Sequence, residues 1–143
     1  MDFTIYPLKG ANAVEFGMRS AQVKRAMNAP CVSGDIRAVS KEFPTDFFEE
    51  AGVFAYYDVD GFLDALEFVR PSRPLLGKVN VFSLPFGQAA AMLARLDPEV
   101  VSEPDAVLSR QLSLSIWSPE LPDGDHVPIE SFLVGRPGYY DED

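Results

Sequence analysis

A chain of 143 residues, 47% hydrophobic and 24% charged, can bury roughly two-thirds of its surface and build a core without disulfide or metal staples. Its net charge of −10 and its lack of any Lys/Arg run exclude the basic footprint that nucleic acids and anionic lipids require, so neither nucleic acid nor membrane is expected as a partner. A single cysteine (Cys31) rules out an internal disulfide, residues 1–7 lack the basic and apolar regions of a secretion signal, and no stretch approaches the ~20 apolar residues of a membrane helix, so a cytoplasmic location is expected.

Residues 3–6 are β-prone and stop at Pro7, and 14–16 read as a further short strand. Val23, Ala26 and Met27 then recur at helical spacing with Lys24 and Arg25 opposite, which predicts a helix over about 19–28. Ser20 is placed to cap its first turn, Asn28 tolerates the left-handed conformation that ends helices, and Pro30 forbids continuation. Residues 31–42 are aperiodic and read as a loop, and Phe47-Phe48 starts a short strand. Two β-rich runs, 53–58 and 62–69, flank Val59-Asp60-Gly61, and Asp-Gly between such runs predicts a hairpin. Pro71 and Pro74 mark a linker, and 79–82 read as a strand. Phe86, Ala89, Ala90, Leu93 and Leu96 form the apolar face of a second helix, with Pro85 in its first turn and Asp97-Pro98 at its end. After a polar stretch at 99–106, Leu112-Ser113-Leu114-Ser115-Ile116-Trp117 alternates strictly, as a half-buried strand does. A loop over 119–125 turns at Asp123-Gly124, and 127–134 is the returning strand.

This order of elements occurs twice. Phe16-Gly17-Met18 leads into the first helix and Phe82-Ser83-Leu84 into the second, and Gln22 and Gln88 occupy matching positions. Each helix ends at a proline, and each half then has a β-rich strand, an Asp-Gly turn and a closing strand: Leu66-Glu67-Phe68-Val69 in one, Ile129-Glu130-Ser131-Phe132 in the other. The expected fold is α+β: one globular unit, 1–143, of two diverged repeats, approximately 1–72 and 73–143, each a helix packed on an antiparallel β-sheet.

Phe16-Gly17-Met18-x-x-x-Gln22-Val23, a helix, a proline and then the Tyr57-Asp58-x-Asp60-Gly61 hairpin resemble a module shared by two groups. One is the small lipoproteins of the outer-membrane β-barrel assembly machinery; the other is the β-lactamase inhibitor proteins, which carry the module in tandem. The chain is also similar to a group of uncharacterised bacterial proteins whose tails end much like Arg136-Pro137-Gly138-Tyr139-Tyr140. The resemblance implies a β-lactamase-inhibitor-like fold. It does not imply membrane anchoring or β-lactamase inhibition, because Arg19 replaces the small hydroxyl residue usual after Gly-Met, and the start has neither an export signal nor a lipidation cysteine.

Catalytic constellations are lacking. His126, the sole histidine, lies in a Pro/Gly/Asp loop without a frame to orient it, and one Cys and one His cannot build a tetrahedral zinc site. There is no P-loop and no dinucleotide fingerprint, so no metal, cofactor or enzymatic activity is expected. Asp58-x-Asp60-Gly61-x-x-Asp64-x-x-Glu67 has calcium-loop spacing, but Tyr56 stands at the first ligand position and the flanks are β-prone, which favours a hairpin. With 22 acids in the chain, paired carboxylates carry little weight.

The leading expectation is a non-catalytic protein-binding module, in specific form a cytoplasmic inhibitor or immunity-type protein that masks a basic partner. Trp117 shares a strand face with Ser113 and Ser115, and is either an interface anchor or a lid on the core edge. Tyr57, placed opposite Phe54 and Tyr56, is expected on the equivalent open face with Asp58, Asp60 and Asp64 nearby. The tail Tyr139-Tyr140-Asp141-Glu142-Asp143 either docks on a basic surface or frays. Two rivals stand: an enzyme or small-ligand protein using carboxylates and tyrosines between the repeats, and a self-associating structural protein. Function is expected where the halves differ: at Trp117, in the 31–42 loop and in the tail.

Overall fold

The 53–68 hairpin and the strand ending at Trp117 lie inside one large sheet in the computed structural model, which describes residues 1–35 and 37–141. The chain runs β1 (Asp2–Tyr6), β2 (Gly10–Ala11), β3 (Val14–Glu15), α1 (Ser20–Met27), β4 (Val32–Gly34), β5 (Thr45–Phe48), β6 (Val53–Tyr57), β7 (Leu63–Phe68), β8 (Arg73–Leu76), β9 (Val79–Asn80), α2 (Phe86–Leu96), β10 (Val101–Ser102), β11 (Ala106–Ser109), β12 (Leu114–Trp117) and β13 (Ser131–Gly135). It is an α+β protein with two helices and two sheets. The larger sheet has eight strands in the order β10-β11-β12-β13-β7-β6-β5-β4, all antiparallel. The smaller has the order β3-β2-β1-β8-β9 and is antiparallel except where β1 meets β8. No helix of the described residues is long and apolar enough to cross a membrane.

Register assigns the faces of the eight-stranded sheet, because directly paired residues point the same way. Val53, Phe68, Phe132, Ile116 and Val107 form one inward row, and Ala55, Leu66, Val134 and Leu114 form the next; all are buried. Val23 and Met27 of α1, Phe86, Ala89 and Leu93 of α2, and Phe3 and Ile5 of β1 join them in one hydrophobic cluster. The Phe68 ring lies 5.3 Å from that of Phe3 and 6.4 Å from that of Phe132, tying the two sheets together.

Local chemistry accounts for the element ends. At the start of α1 the Arg19 N–H donates to Gln22 Oε1 at 2.9 Å. Ser20 does not cap the helix; its hydroxyl donates to Asp46 Oδ2 at 2.5 Å. Asn28 ends α1 in the left-handed region (φ 50°), its N–H donating to the Lys24 carbonyl. In the β6–β7 turn, Asp58 Oδ1 accepts from the N–H groups of Asp60 and Phe62, and Gly61 takes φ 85°, where a Cβ would stand 2.6 Å from the Phe43 ring.

Further sequence expectations need correction: Val81–Ser83 form a 3-10 helix where the sequence predicts the end of a strand, and the returning strand begins only at Ser131. The 31–42 segment is not all loop: it supplies β4, paired with β5. The 99–106 stretch holds β10 and the first residue of β11. The Pro71–Pro74 linker instead leads into β8, where Pro74 lies opposite Phe3; β9 pairs only with Leu75 and Leu76, so on that side no strand needs an N–H from Pro74. These short strands exist through pairing with neighbours, not through a local pattern. Ser113, expected to share the face of Ser115, precedes β12 at φ 52° and is fully buried, and its hydroxyl has no partner among the described residues. Glycine at this position removes both the left-handed strain and the unpaired hydroxyl. Ser113→Gly is therefore expected to stabilise the fold by about 1 kcal/mol, read from urea denaturation midpoints.

Candidate functional site

The other face of the large sheet carries an unbroken transverse row, one residue from every strand: Val32, Phe47, Phe54, Glu67, Leu133, Ser115, Leu108 and Val101. Only Glu67 and Ser115 interrupt its apolar character. Unlike the inward rows it is not sealed: Val32 is 66% exposed, and the apolar members from Phe47 to Val101 are half-buried. Phe47 and Phe54 stack with ring centres 4.2 Å apart, and Tyr56 lies parallel to Phe54 at 6.2 Å.

Glu67 is the exception in this row. Its side chain is nearly buried, and a carboxylate there requires a partner. The Tyr56 hydroxyl donates to Glu67 Oε1 at 2.5 Å, and Arg37 Nη1 donates to the same oxygen at 2.6 Å while standing 3.3 Å from the Tyr56 oxygen. Burial, and then the bond to Glu67, push the Tyr56 phenol well above its ordinary value, so it remains a donor. The charge of Glu67 raises the Arg37 guanidinium in turn.

Beside this triad is a groove of about 320 Å³, walled by Phe54 and Tyr56 on one side and Trp117 and Glu130 on the other, with Glu67 and Arg70 also lining it. Trp117 is 37% exposed, and its indole Nε1 donates to Asp105 Oδ2 at 3.0 Å. Arg70 bonds to the Ile129 carbonyl at 2.7 Å and the Phe82 carbonyl at 3.3 Å, and lies over the Phe82 ring.

The residues singled out from sequence do not form one cluster. Trp117 is on the open face at one end of the strands, next to Ser131. Tyr57 is on the inward face, 2% exposed, where its hydroxyl donates to Asp46 Oδ2 at 2.7 Å. It does lie opposite Phe54 and Tyr56, but those two take the open face; both faces of β6 are apolar, so hydrophobicity alone does not assign them. Asp58 and Asp60 belong to the hairpin turn beyond the Tyr57–Leu63 pair, at the opposite end of the strands from Trp117. Asp58 is engaged in the turn, Asp60 is exposed, and Asp64 is ion-paired with Arg136. The acids of the calcium-like spacing thus do not converge on one point among the described residues.

Tyr139 and Tyr140 lie against the protein's own open face. The Tyr140 and Ser115 hydroxyls are 2.6 Å apart, the two tyrosine rings meet edge to face, and any side chain at Gly135 would strike Tyr139. Burial pushes the Tyr140 phenol up to about 12. Asp141 is exposed, and Glu142 and Asp143 lie outside the described residues.

Beneath α1, Asp46 is 1% exposed and accepts from three hydroxyls, of Ser20, Ser33 and Tyr57, with Lys24 Nζ at 3.8 Å. Burial and Asp46 raise the neighbouring Cys31 thiol and the Tyr57 phenol. These shifts favour the neutral forms, which makes hydrogen-bond donors rather than nucleophiles.

Sequence reasoning missed Arg37, Phe54, Tyr56, Glu67 and Glu130 as lining residues. One signal was available: Glu67 is an acid flanked in β7 by two core residues, Leu66 and Phe68. Arg37 lies in the 31–42 segment singled out as a place where the halves differ. No family model, curated protein or solved structure matches the chain.

Proposed function

We propose that this protein is a non-catalytic binding module, a cytoplasmic inhibitor or immunity-type protein that masks a basic partner through the open face of its eight-stranded sheet. The observation that carries this reading is the row across the eight strands, apolar except at Glu67 and Ser115 and half-buried over most of its length, with Trp117 beside it. Accessible aromatic side chains anchor protein interfaces, and Phe54, Tyr56 and Trp117 stand here around the Glu67 carboxylate. The net charge of −10 selects a basic partner and speeds the encounter.

The same reading takes the chain as two diverged copies of one module, α1 with β4–β7 and α2 with β10–β13, joined at β7 and β13. The mirrored strand order on either side of that pair supports it, as does the tandem arrangement of the β-lactamase inhibitor group that the sequence resembles. A second reading, a small ligand held between the copies, draws on the groove that Tyr56, Glu67, Glu130 and Trp117 line.

Wild-type and Trp117→Ala proteins, each immobilised and washed with source-cell extract at low salt, separate these readings. Trp117→Ala is expected to change stability by less than about 1 kcal/mol, because the residue is exposed, and to weaken capture of a basic protein about 30-fold. Failure of the wild-type protein to retain any basic protein, or equal retention by both, contradicts the docking face.

A further inference from the structure

Within the docking-face reading, on which this inference rests, Glu67 is the anomaly: one acidic side chain near the middle of an apolar row. Its counter-ion does not come from the sheet. It comes from Arg37, a loop residue thirty positions earlier.

We infer that Tyr56 and Glu67, with the Phe54 and Trp117 walls of the groove, form a recognition slot for an arginine side chain of the basic partner, and that Arg37 occupies this slot in the free protein. Three features support the inference. The chain's own guanidinium demonstrates the chemistry that the slot accepts. That occupancy is incomplete: Arg37 uses one nitrogen, Nη1, on one oxygen, Oε1, although guanidinium and carboxylate can pair through two parallel bonds. Oε2 of Glu67 makes no hydrogen bond to another described residue, and the Arg37 side chain remains 63% exposed. Finally, Arg37 has φ 55°, a backbone conformation that a non-glycine residue holds only when its surroundings enforce it. A turn sets it here, the Ala38 N–H donating to the Asp35 carbonyl at 3.1 Å, so the slot's occupant is carried on a turn outside the sheet.

Arg37 also separates two hollows on the open face. The groove of about 320 Å³ lies on the Trp117 side, and a smaller hollow of about 90 Å³ lies on the Tyr139 side; Arg37 and Tyr56 line both. Withdrawing Arg37 opens the carboxylate to an arginine approaching along the groove, where flat aromatic walls suit a guanidinium plane better than an ammonium. Because the two arginines compete for one slot, the partner's apparent affinity is reduced by the fraction of molecules in which Arg37 is seated.

Trp117, the only tryptophan, reports on the slot directly. N-acetyl-arginine methylamide is titrated at physiological salt into wild-type and Arg37→Ala proteins while Trp117 fluorescence is followed; the citrulline analogue, of similar shape but uncharged, is the control. The expected result is a saturable change in Arg37→Ala with an apparent Kd at least ten-fold below that of wild type, no response to citrulline, and loss of the response in Arg37→Ala/Glu67→Gln. No saturable change in Arg37→Ala, an equal change in wild type, or an equal response to citrulline overturns the slot. If the double variant does not fold, the wild-type comparison and the citrulline control decide alone. A protein that fails this titration yet still captures a basic partner through Trp117 overturns the slot and leaves the docking face standing.

Discussion

Asp46→Ala is expected to destabilise the protein by about 3 kcal/mol, read from urea denaturation midpoints. The carboxylate is 1% exposed and accepts hydroxyls from the first residue of α1, from β4 and from β6, at 2.5, 2.6 and 2.7 Å. Removing it strands the Tyr57 hydroxyl in the core and frees the two serines that tie a helix start and an edge strand to the sheet. A single hydrogen bond contributes only about 1 kcal/mol net, and most of the expected loss comes from the buried donor left unpaired. Asp46→Asn keeps one acceptor oxygen and is expected to lose roughly half as much. Equal stability of wild type and Asp46→Ala would mean that the cluster is wet and its hydroxyls find water.

Phe68→Ala is the second large effect, a loss of about 3–5 kcal/mol. Its ring is fully buried between Phe3 of the small sheet and Phe132 of β13, so the cavity opens where the sheets and the two halves of the chain meet. The backbone there is fixed by pairing on both sides of β7, which limits collapse into the void. Phe54→Ala, on the opposite face of the same hairpin, removes a half-buried ring stacked on Phe47 and is expected to cost about 1 kcal/mol. The contrast between these two phenylalanines tests the face assignment, since a swapped assignment reverses their order.

The two helices, the β6–β7 hairpin and the strand ending at Trp117 were legible because each carries a local signature: helical spacing, Asp-Gly between β-rich runs, strict alternation. β4, β8 and β10 carry none. They are two to four residues long, and pairing with a neighbour is what makes them strands. The site was half legible for a related reason. Trp117 announced itself as an aromatic on a polar face. Tyr56 and Tyr57 are adjacent aromatics in a strand apolar on both sides, and a register shift between them adds to the ambiguity, so tertiary covering alone decides which faces outward. Arg37 is invisible to any local pattern, because its partners lie on strands that sequence does not place beside it.

The central claim, that a basic protein docks on the open face of the large sheet around Trp117, is tested most directly by acrylamide quenching of Trp117 in the free protein and in complex with the captured partner. The protein has one tryptophan, so the signal has one source. Free, the indole is 37% exposed and is expected to quench readily. In the complex the account predicts a blue-shifted emission and a quenching constant reduced at least three-fold. Emission and quenching unchanged by a saturating partner would place the contact elsewhere and contradict the account.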